Sequence, residues 1–271
     1  MTGKSGELRL GLGAVVPPDF EHGRNCVVGP MSYVAQGCAF GSGVEIGAHA
    51  TLVTSSFSGR LLVRDGAHIA AGAVVSGAAV IGLGSRVEPG AVVTADVPPF
   101  AIVAGNPAHV TGYVTPSAAG GDLSLEHVRI PSDIGITPLA SGSVIIRFPE
   151  VVDLRGRLSF SDVGGLLPFE VMRLFFVYGV PSREIRGEHA HRQLHQVLIA
   201  ASGSVSVLTD NGRMRQEIVL DSPVLGLHIP PLVWGVQFRH SHDAVLLVLA
   251  SAPYEADDYI REYDDFLKIV T

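Results

Sequence analysis

The sequence predicts an all-β chain in two parts, a parallel β-helix followed by a barrel or sandwich of longer strands. Three observations carry this. An apolar residue recurs every six positions across residues 28–93. Seven short β-type runs follow residue 143 without intervening helices. The 271 residues include 32 Gly and 17 Pro, which suits tight corners better than helical bundles.

The six-residue series runs Val28, Val34, Phe40, Ile46, Leu52, slips across Ser55–Leu62, and resumes as Val63, Ile69, Val75, Ile81, Val87, Val93. Extended backward it gives Leu10, Val16 and His22. Four residues after most of these sits a small residue: Ser32, Cys38, Ala50, Ala67, Ala73, Ala79, Ser85, Ala91. Six is neither the helical period nor the simple strand period. It fits a triangular coil in which each side is a short strand, one large residue points inward and a small residue fits the corner. Cys26 and Cys38 both fall at the small inward position, so they read as buried spacers.

The repeat closes at Val103-Ala104-Gly105-Asn106-Pro107-Ala108-His109-Val110, after Val93-Thr94-Ala95-Asp96-Val97-Pro98. This phrase resembles the end of the left-handed β-helix acyltransferases of the hexapeptide family, and within them the sugar-nucleotide N-acetyltransferases. The resemblance covers about residues 10–115. It implies a trimer that binds acetyl-CoA in the groove between neighbouring prisms, with Gly72, Ala73, Gly105, Asn106 and Pro107 beside the cofactor. Two departures stand out. The segment Thr54–Leu61 is short and lacks the Asn of the family's sugar-binding loop. A general base is not evident, and His22, His49 and His68 are candidates by position alone. A neutral sugar amine is already a nucleophile, so a missing base does not exclude acetyl transfer. An active transferase and a catalytically inactive trimerisation scaffold both remain open for residues 8–114.

Charge narrows the partners. The net charge is −7, with 6 basic and 7 acidic residues before residue 115, and 13 and 19 after it. Neither part is basic, so nucleic acid and anionic membrane are excluded as expected partners. Two cysteines make no disulfide framework, and the opening MTGKSGELRL has no signal-peptide core. The expected location is cytoplasmic.

Residues 115–134 read as a linker, where Pro, Gly and Ser cluster and the period is lost. From 135 to 271 the strand candidates are Val144–Phe148, Val171–Tyr178, Gln196–Ala200, Val205–Thr209, Ile218–Leu220, Leu225–Ile229 and Ala244–Leu249. Asp210-Asn211-Gly212 marks a hairpin turn. Glu255–Ile269 has helical spacing.

The most chemical stretch is Arg186-Gly187-Glu188-His189-Ala190-His191. In an extended strand His189 and His191 share one face. With Gly203 turning the next hairpin, the spacing resembles the first motif of a cupin (jelly-roll) barrel. A metal cupin needs Glu where Gln196 stands and a further His where the chain has Trp234. Neutral Gln replaces a carboxylate poorly, and Trp cannot ligate, so no metal is expected. The pair then reads as proton-transfer groups, since imidazole gains and loses a proton near neutral pH. Two histidines packed structurally in a core are the bland alternative. Arg155, Arg157, Arg183 and Arg186 lie near this strand in sequence and suit a phosphorylated ligand.

Several segments together resemble the cupin dTDP-sugar 3,4-ketoisomerases: Asp153–Gly156, Phe175–Pro181, Arg186–His191, Gln196–Ser204, Leu227–Trp234, Leu247–Ser251 and Tyr254–Asp264. The match spans about residues 143–270. It implies a metal-independent shift of the keto group of dTDP-4-keto-6-deoxyglucose to C3. His189 and His191 fall on the family's histidine pair and Tyr178 on its tyrosine. The diphosphate would meet Arg155, Arg183 or Arg186, and the thymine Trp234 or Gln196. Fusion of the two parts resembles bifunctional enzymes of 3-acetamido-3,6-dideoxyhexose synthesis. The expected partners are dTDP-linked keto- and amino-deoxyhexoses, in a homotrimer or homohexamer. A non-enzymatic, sugar-binding cupin is the rival reading.

Overall fold

The six-residue period is a burial period. All eleven apolar positions from Val28 to Val93 are at most 6% exposed, and the eight small residues between them are buried as well. The computed structural model describes residues 7–54, 60–114, 128, 130–162, 164–182 and 184–271. It divides into two units, residues 1–114 and 115–271.

In the first unit the strands are mostly two or three residues long, and from Cys26–Val28 to Val92–Val93 every third strand joins the same parallel sheet. One sheet aligns Val28, Ile46, Ile69, Val87 and Val103. The second aligns Val34, Leu52, Val75 and Val93. The third aligns His22, Phe40, Val63 and Ile81. Three six-residue sides therefore make one coil, and each inward residue stacks on its counterpart one coil away. The corners turn through left-handed backbone at Asn25, Met31, Gly43, His49, Gly66, Gly72, Gly84 and Gly90. Gly47 meets a different demand, because a Cβ there would lie 2.5 Å from the amide nitrogen of Ala71 in the next coil. The backward extension of the period fades: Leu10 is 50% exposed and His22 half-buried, since no strand among the described residues stacks beneath the first coil. At the other end Ala101–Gly105 reverses into the antiparallel strand Ala108–Tyr113, whose Tyr113 is buried.

The second unit holds two antiparallel sheets over one core. The six-stranded sheet runs Gly135–Pro138, Val144–Arg147, Leu225–Ile229, Gln196–Ser202, Val245–Ala250, Arg173–Tyr178. The five-stranded sheet runs Arg215–Leu220, Val205–Asp210, Trp234–Phe238, Arg186–His191, Tyr259–Ile260. Leu198, Leu227 and Val248 of the first pack with Val205, Val207 and Ile218 of the second. Glu150–Asp153 and Gly156–Ser159 form a separate two-stranded ribbon. All seven expected runs contain or overlap strands, and Asp210-Asn211-Gly212 links two of them as expected.

The tail departs from its helical spacing. Only Tyr263–Val270 is α-helix, while Ala256–Asp258 is one 3-10 turn and Tyr259–Ile260 a strand paired with Ala190 and His191. Burial of Ile260 beside the histidine strand outweighs the helical pattern there. Most of the 115–134 linker, and residues 55–59 of the shortened loop, lie outside the described residues. No helix among the described residues is long and apolar enough to cross a membrane.

Candidate active site

The histidine strand is set by one irregularity. Gly187 pairs with Val236 and His189 with Gly235, so Glu188 is an extra residue, a bulge with φ 53°. Beyond it the two-residue alternation is restored, and the rings of His189 and His191 meet edge to face, centroids 4.9 Å apart. Both pack on Tyr259, at 4.8 and 4.3 Å. The guanidinium of Arg261 covers the Tyr259 ring at 4.3 Å.

His191 is 5% exposed. Its Nδ1 donates to Oδ2 of Asp258 at 2.8 Å, and its Nε2 is buried with no hydrogen-bond partner among the described residues. His189 places its Nδ1 2.8 Å from the Gly187 carbonyl oxygen. Burial, then the neighbouring His189, pushes His191 down to about 4, against the opposing pull of Asp258. Burial also lowers His189; its bond to Gly187 opposes this and Arg261 adds to it. At neutral pH the site therefore holds two uncharged imidazoles. A cavity of about 360 Å³ opens beside His191, lined also by Arg173, Arg192, Leu194, Asp258 and Tyr259 among others.

Strand alternation decides which of the expected residues join this group. Phe175 and Val177 pack on the core, which places Arg173 on the same inward face and Tyr178 on the opposite one. Tyr178 is 72% exposed, so the expectation that it serves the histidines is corrected, and the tyrosine in contact with both rings is Tyr259. Gln196 shares the inward face of its strand with Leu198 and is buried. Arg173 and Gln196 both register with Ala250, one on each side.

Trp234 is also corrected. It packs against Tyr263 and Phe266 of the C-terminal helix, on the outer face of its sheet, and cannot meet a ligand inside. Arg155 sits at the tip of the separate ribbon, its side chain 91% exposed and paired with Asp153. Arg157 on the same ribbon pairs with Glu150. Arg186 begins the histidine strand, is exposed, and acts electrostatically on His240. Arg183 lies outside the described residues. Arg173, Asp258, Tyr259 and Arg261 went unassigned in the sequence. The one available signal was a lone charged residue, Arg173, inside the apolar run Val171–Tyr178.

In the first unit Gly72 is a left-handed corner with open space where a Cβ would stand. Gly105, Asn106 and Pro107 form an exposed turn. Ala73 is 0% exposed, filling the coil interior, so its expected place beside a cofactor is corrected. His49 and His68 are exposed, and His22 holds its Nδ1 2.8 Å from the Gly23 carbonyl oxygen.

Among the described residues no group of three His, Cys, Asp or Glu side chains could hold a metal ion. Tyr259 packs on both rings of the inward pair, and Arg173 acts electrostatically on His191.

Three comparisons bear on this geometry. The sequence profile described as FdtA: WxcM-like, C-terminal matches residues 141–271. The TDP-4-oxo-6-deoxy-alpha-D-glucose-3,4-oxoisomerase of Aneurinibacillus thermoaerophilus is 41% identical over 126 residues, 46% of this chain and 91% of that protein. The dTDP-3-amino-3,6-dideoxy-alpha-D-galactopyranose 3-N-acetyltransferase of the same organism is 45% identical over 56 residues, 21% of this chain and 29% of that protein. Among solved structures, a 3,4-ketoisomerase from Helicobacter canadensis is 38% identical, covering 47% of this chain and 96% of its own, with a TM-score of 0.46.

Two antiparallel sheets with an inward His-x-His pair define the second unit as a cupin. Through that unit the chain belongs to the FdtA family of WxcM-like C-terminal domains.

Proposed function

We propose that residues 135–271 form a jelly-roll cupin that isomerises dTDP-4-keto-6-deoxyglucose to the corresponding 3-keto sugar, with His189 and His191 as the proton-transfer groups. The carrying observation is the pair itself: two uncharged imidazoles, 4.9 Å apart, each with Nδ1 held in a hydrogen bond. A base takes the C3 proton, and that bonding pair becomes the C3=C4 double bond as the C4 carbonyl oxygen is protonated. The C3 hydroxyl then releases its proton while C4 accepts one, leaving the ketone at C3. Atoms and electrons balance without an oxidant. Tyr259, in contact with both rings, is placed to relay a proton. Arg173, whose buried Nη1 has no hydrogen-bond partner among the described residues, is the cation this reading assigns to the diphosphate, and Gln196 lies on the same inward face.

The test is incubation with dTDP-4-keto-6-deoxyglucose in deuterated water, followed by NMR. Appearance of a C3 ketone with deuterium at C4 supports the reading, and a substrate that stays intact sinks it. The same spectra report the configuration at C4.

A second activity fits the first unit. Its three-sheeted coil is read as a left-handed β-helix that transfers an acetyl group from acetyl-CoA to the 3-amino group of a dTDP-3-amino-3,6-dideoxyhexose. The partial match to an N-acetyltransferase supports this, with Gly72 and the Gly105-Asn106-Pro107 turn beside the cofactor. An aminotransferase on another chain would act between the two steps. Coils of this kind associate around a threefold axis, giving a trimer, or a hexamer where the cupins also pair.

A further inference from the structure

We propose that residues 255–271 form a strap that makes one wall of the catalytic cavity, and that Tyr263 is the positioning residue that latches it to the barrel. The catalytic consequence rests on the isomerase reading above; the latch itself does not. Glu255, Asp257, Asp258 and Tyr259 of this segment line the cavity beside His191, and Tyr259 is the ring packed on both histidines.

The segment's hold near the site is slight. Tyr259–Ile260 is a two-residue strand at the edge of the five-stranded sheet, paired with Ala190 and His191. The Asp258 carboxylate adds bonds from the Gln193 and Leu194 amides, at 2.8 and 3.3 Å. The buried residues of the segment are Ile260, Tyr263 and Phe266. The helix Tyr263–Val270 has eight residues, and a helix that short is marginal by itself in water. Docking of its buried face must therefore hold both the helix and the wall that leads into it.

That docking has an apolar part and a polar part, and they meet at Tyr263. Its ring stands edge to face on Trp234, centroids 5.1 Å apart, and Phe266 packs on the same indole at 5.5 Å. Its hydroxyl donates to Oδ2 of Asp210 at 2.6 Å and accepts from Nη2 of Arg215 at 3.2 Å. Nε of Arg215 donates to the same Oδ2 at 2.5 Å, and Oδ1 accepts from the Gly212 amide at 2.7 Å. Asp210 is 1% exposed and the Arg215 side chain is buried with it. A buried ion pair needs its remaining positions filled, and the Tyr263 hydroxyl fills one on each partner. Burial and the Asp210 charge push the phenol up, against the pull of Arg215, so it stays a donor at neutral pH. Asp210 and Gly212 belong to one hairpin turn. A Cβ at Gly212 would lie 2.5 Å from the Val270 side chain, so the far end of the helix rests on that same turn. The strap thus leaves the cavity, passes the sheet edge and is pinned on the outer face.

The experiment uses the full chain with Tyr263→Phe, which keeps the ring and removes the hydroxyl, and Tyr263→Ala, which removes both. Trp234 is the chain's single tryptophan, so its emission reports the docked helix. In Tyr263→Phe, amide hydrogen exchange across residues 255–262 should quicken by about 10–100-fold, the scale of one hydrogen bond to a charged group. Gln196–Ser202 in the other sheet should exchange as before. In Tyr263→Ala the Trp234 emission should move to longer wavelength, and kcat should fall by about tenfold or more. Tyr263→Phe should restore most of both. Unchanged exchange in a folded Tyr263→Phe overturns the latch, and so does a quickening spread evenly over the whole cupin unit. Full kcat in a folded Tyr263→Ala whose helix has undocked overturns the wall's part in catalysis. If Tyr263→Ala does not fold, the exchange pattern and kcat of Tyr263→Phe decide. A wild-type chain that leaves the keto sugar unconverted defeats the isomerase reading instead, and exchange and emission then decide the latch by themselves.

Discussion

The imidazoles of His195 and His228 lie stacked, centroids 5.2 Å apart and 8° from parallel, with Nδ1 of one 3.0 Å from Nε2 of the other. They sit on the face of the six-stranded sheet that Phe169 covers, away from the inward pair. One ring donates and the other accepts, so the accepting nitrogen must be unprotonated. Burial, with His195 alongside, pushes His228 down to about 4, and burial lowers His195 too.

Acid stability should follow from this. The folded value of His228 lies below its unfolded value of 6.5, so the unfolded chain binds more protons between the two. The stability is present above about pH 6.5 and is lost as pH falls toward 4, at up to about 3 kcal/mol for such a group. His191 acts in the same direction. Melting temperature should drop across that window, and replacing both His195 and His228 by Leu should flatten the slope. An unchanged slope in that double variant would remove the pair from the explanation.

The acid limb of catalysis should sit low. A base pushed down to about 4 stays unprotonated well below neutrality. The kcat/KM profile for isomerisation should hold down to about pH 5 and fall near 4, rather than near the ordinary histidine value. A limb centred at 6.5 would argue against the buried imidazoles as the proton-transfer groups. His189→Asn and His191→Asn should each cost about 10²–10⁴-fold, and full activity in both ends the mechanism. Chelators should leave the rate unchanged, because neutral Gln196 stands on the inward face where a carboxylate ligand would be needed.

Nucleotide binding separates two arginines. Arg173→Ala should weaken TDP binding by about 1.5–3 kcal/mol, the scale of a charged hydrogen bond. Arg155→Ala should change it little, since that side chain already pairs with Asp153 in solvent. Calorimetry with TDP reads both, and the reverse ranking would move the diphosphate to the ribbon.

Acetyl transfer by the coil is read through free thiol. The full chain, acetyl-CoA and a dTDP-3-amino-3,6-dideoxyhexose should release coenzyme A thiol. Absence of thiol, together with no acetyl-CoA binding, leaves the coil as a scaffold for assembly.

The coil was legible because its period is strict and its inward positions are uniform, so one rule places every layer from Val28 to Val93. The rule fades at Leu10 because end layers lack a neighbour. The histidine pair was legible from the two-residue alternation, although the bulge at Glu188, which sets its phase, leaves no mark in composition. Tyr178 and Trp234 failed for a common reason. Sequence shows that an aromatic residue is in a strand, but which face it takes depends on sheet partners and on what covers the other side. Asp258 and Tyr259 stayed hidden because their helical spacing masks a strand pairing made across the sheet. Arg173 stayed hidden because it stands alone among apolar residues.

The antiparallel return at Ala108–Tyr113 matters for more than the fold of one molecule. A parallel coil has no intrinsic length; each exposed layer is a template for another of the same kind, much as a growing fibre end is. By running backward across the last layer and filling its centre with Tyr113, this segment removes the template at that end. A chain truncated before Ala108 would expose that template and should polymerise where the intact chain does not, which sedimentation of the two forms would reveal.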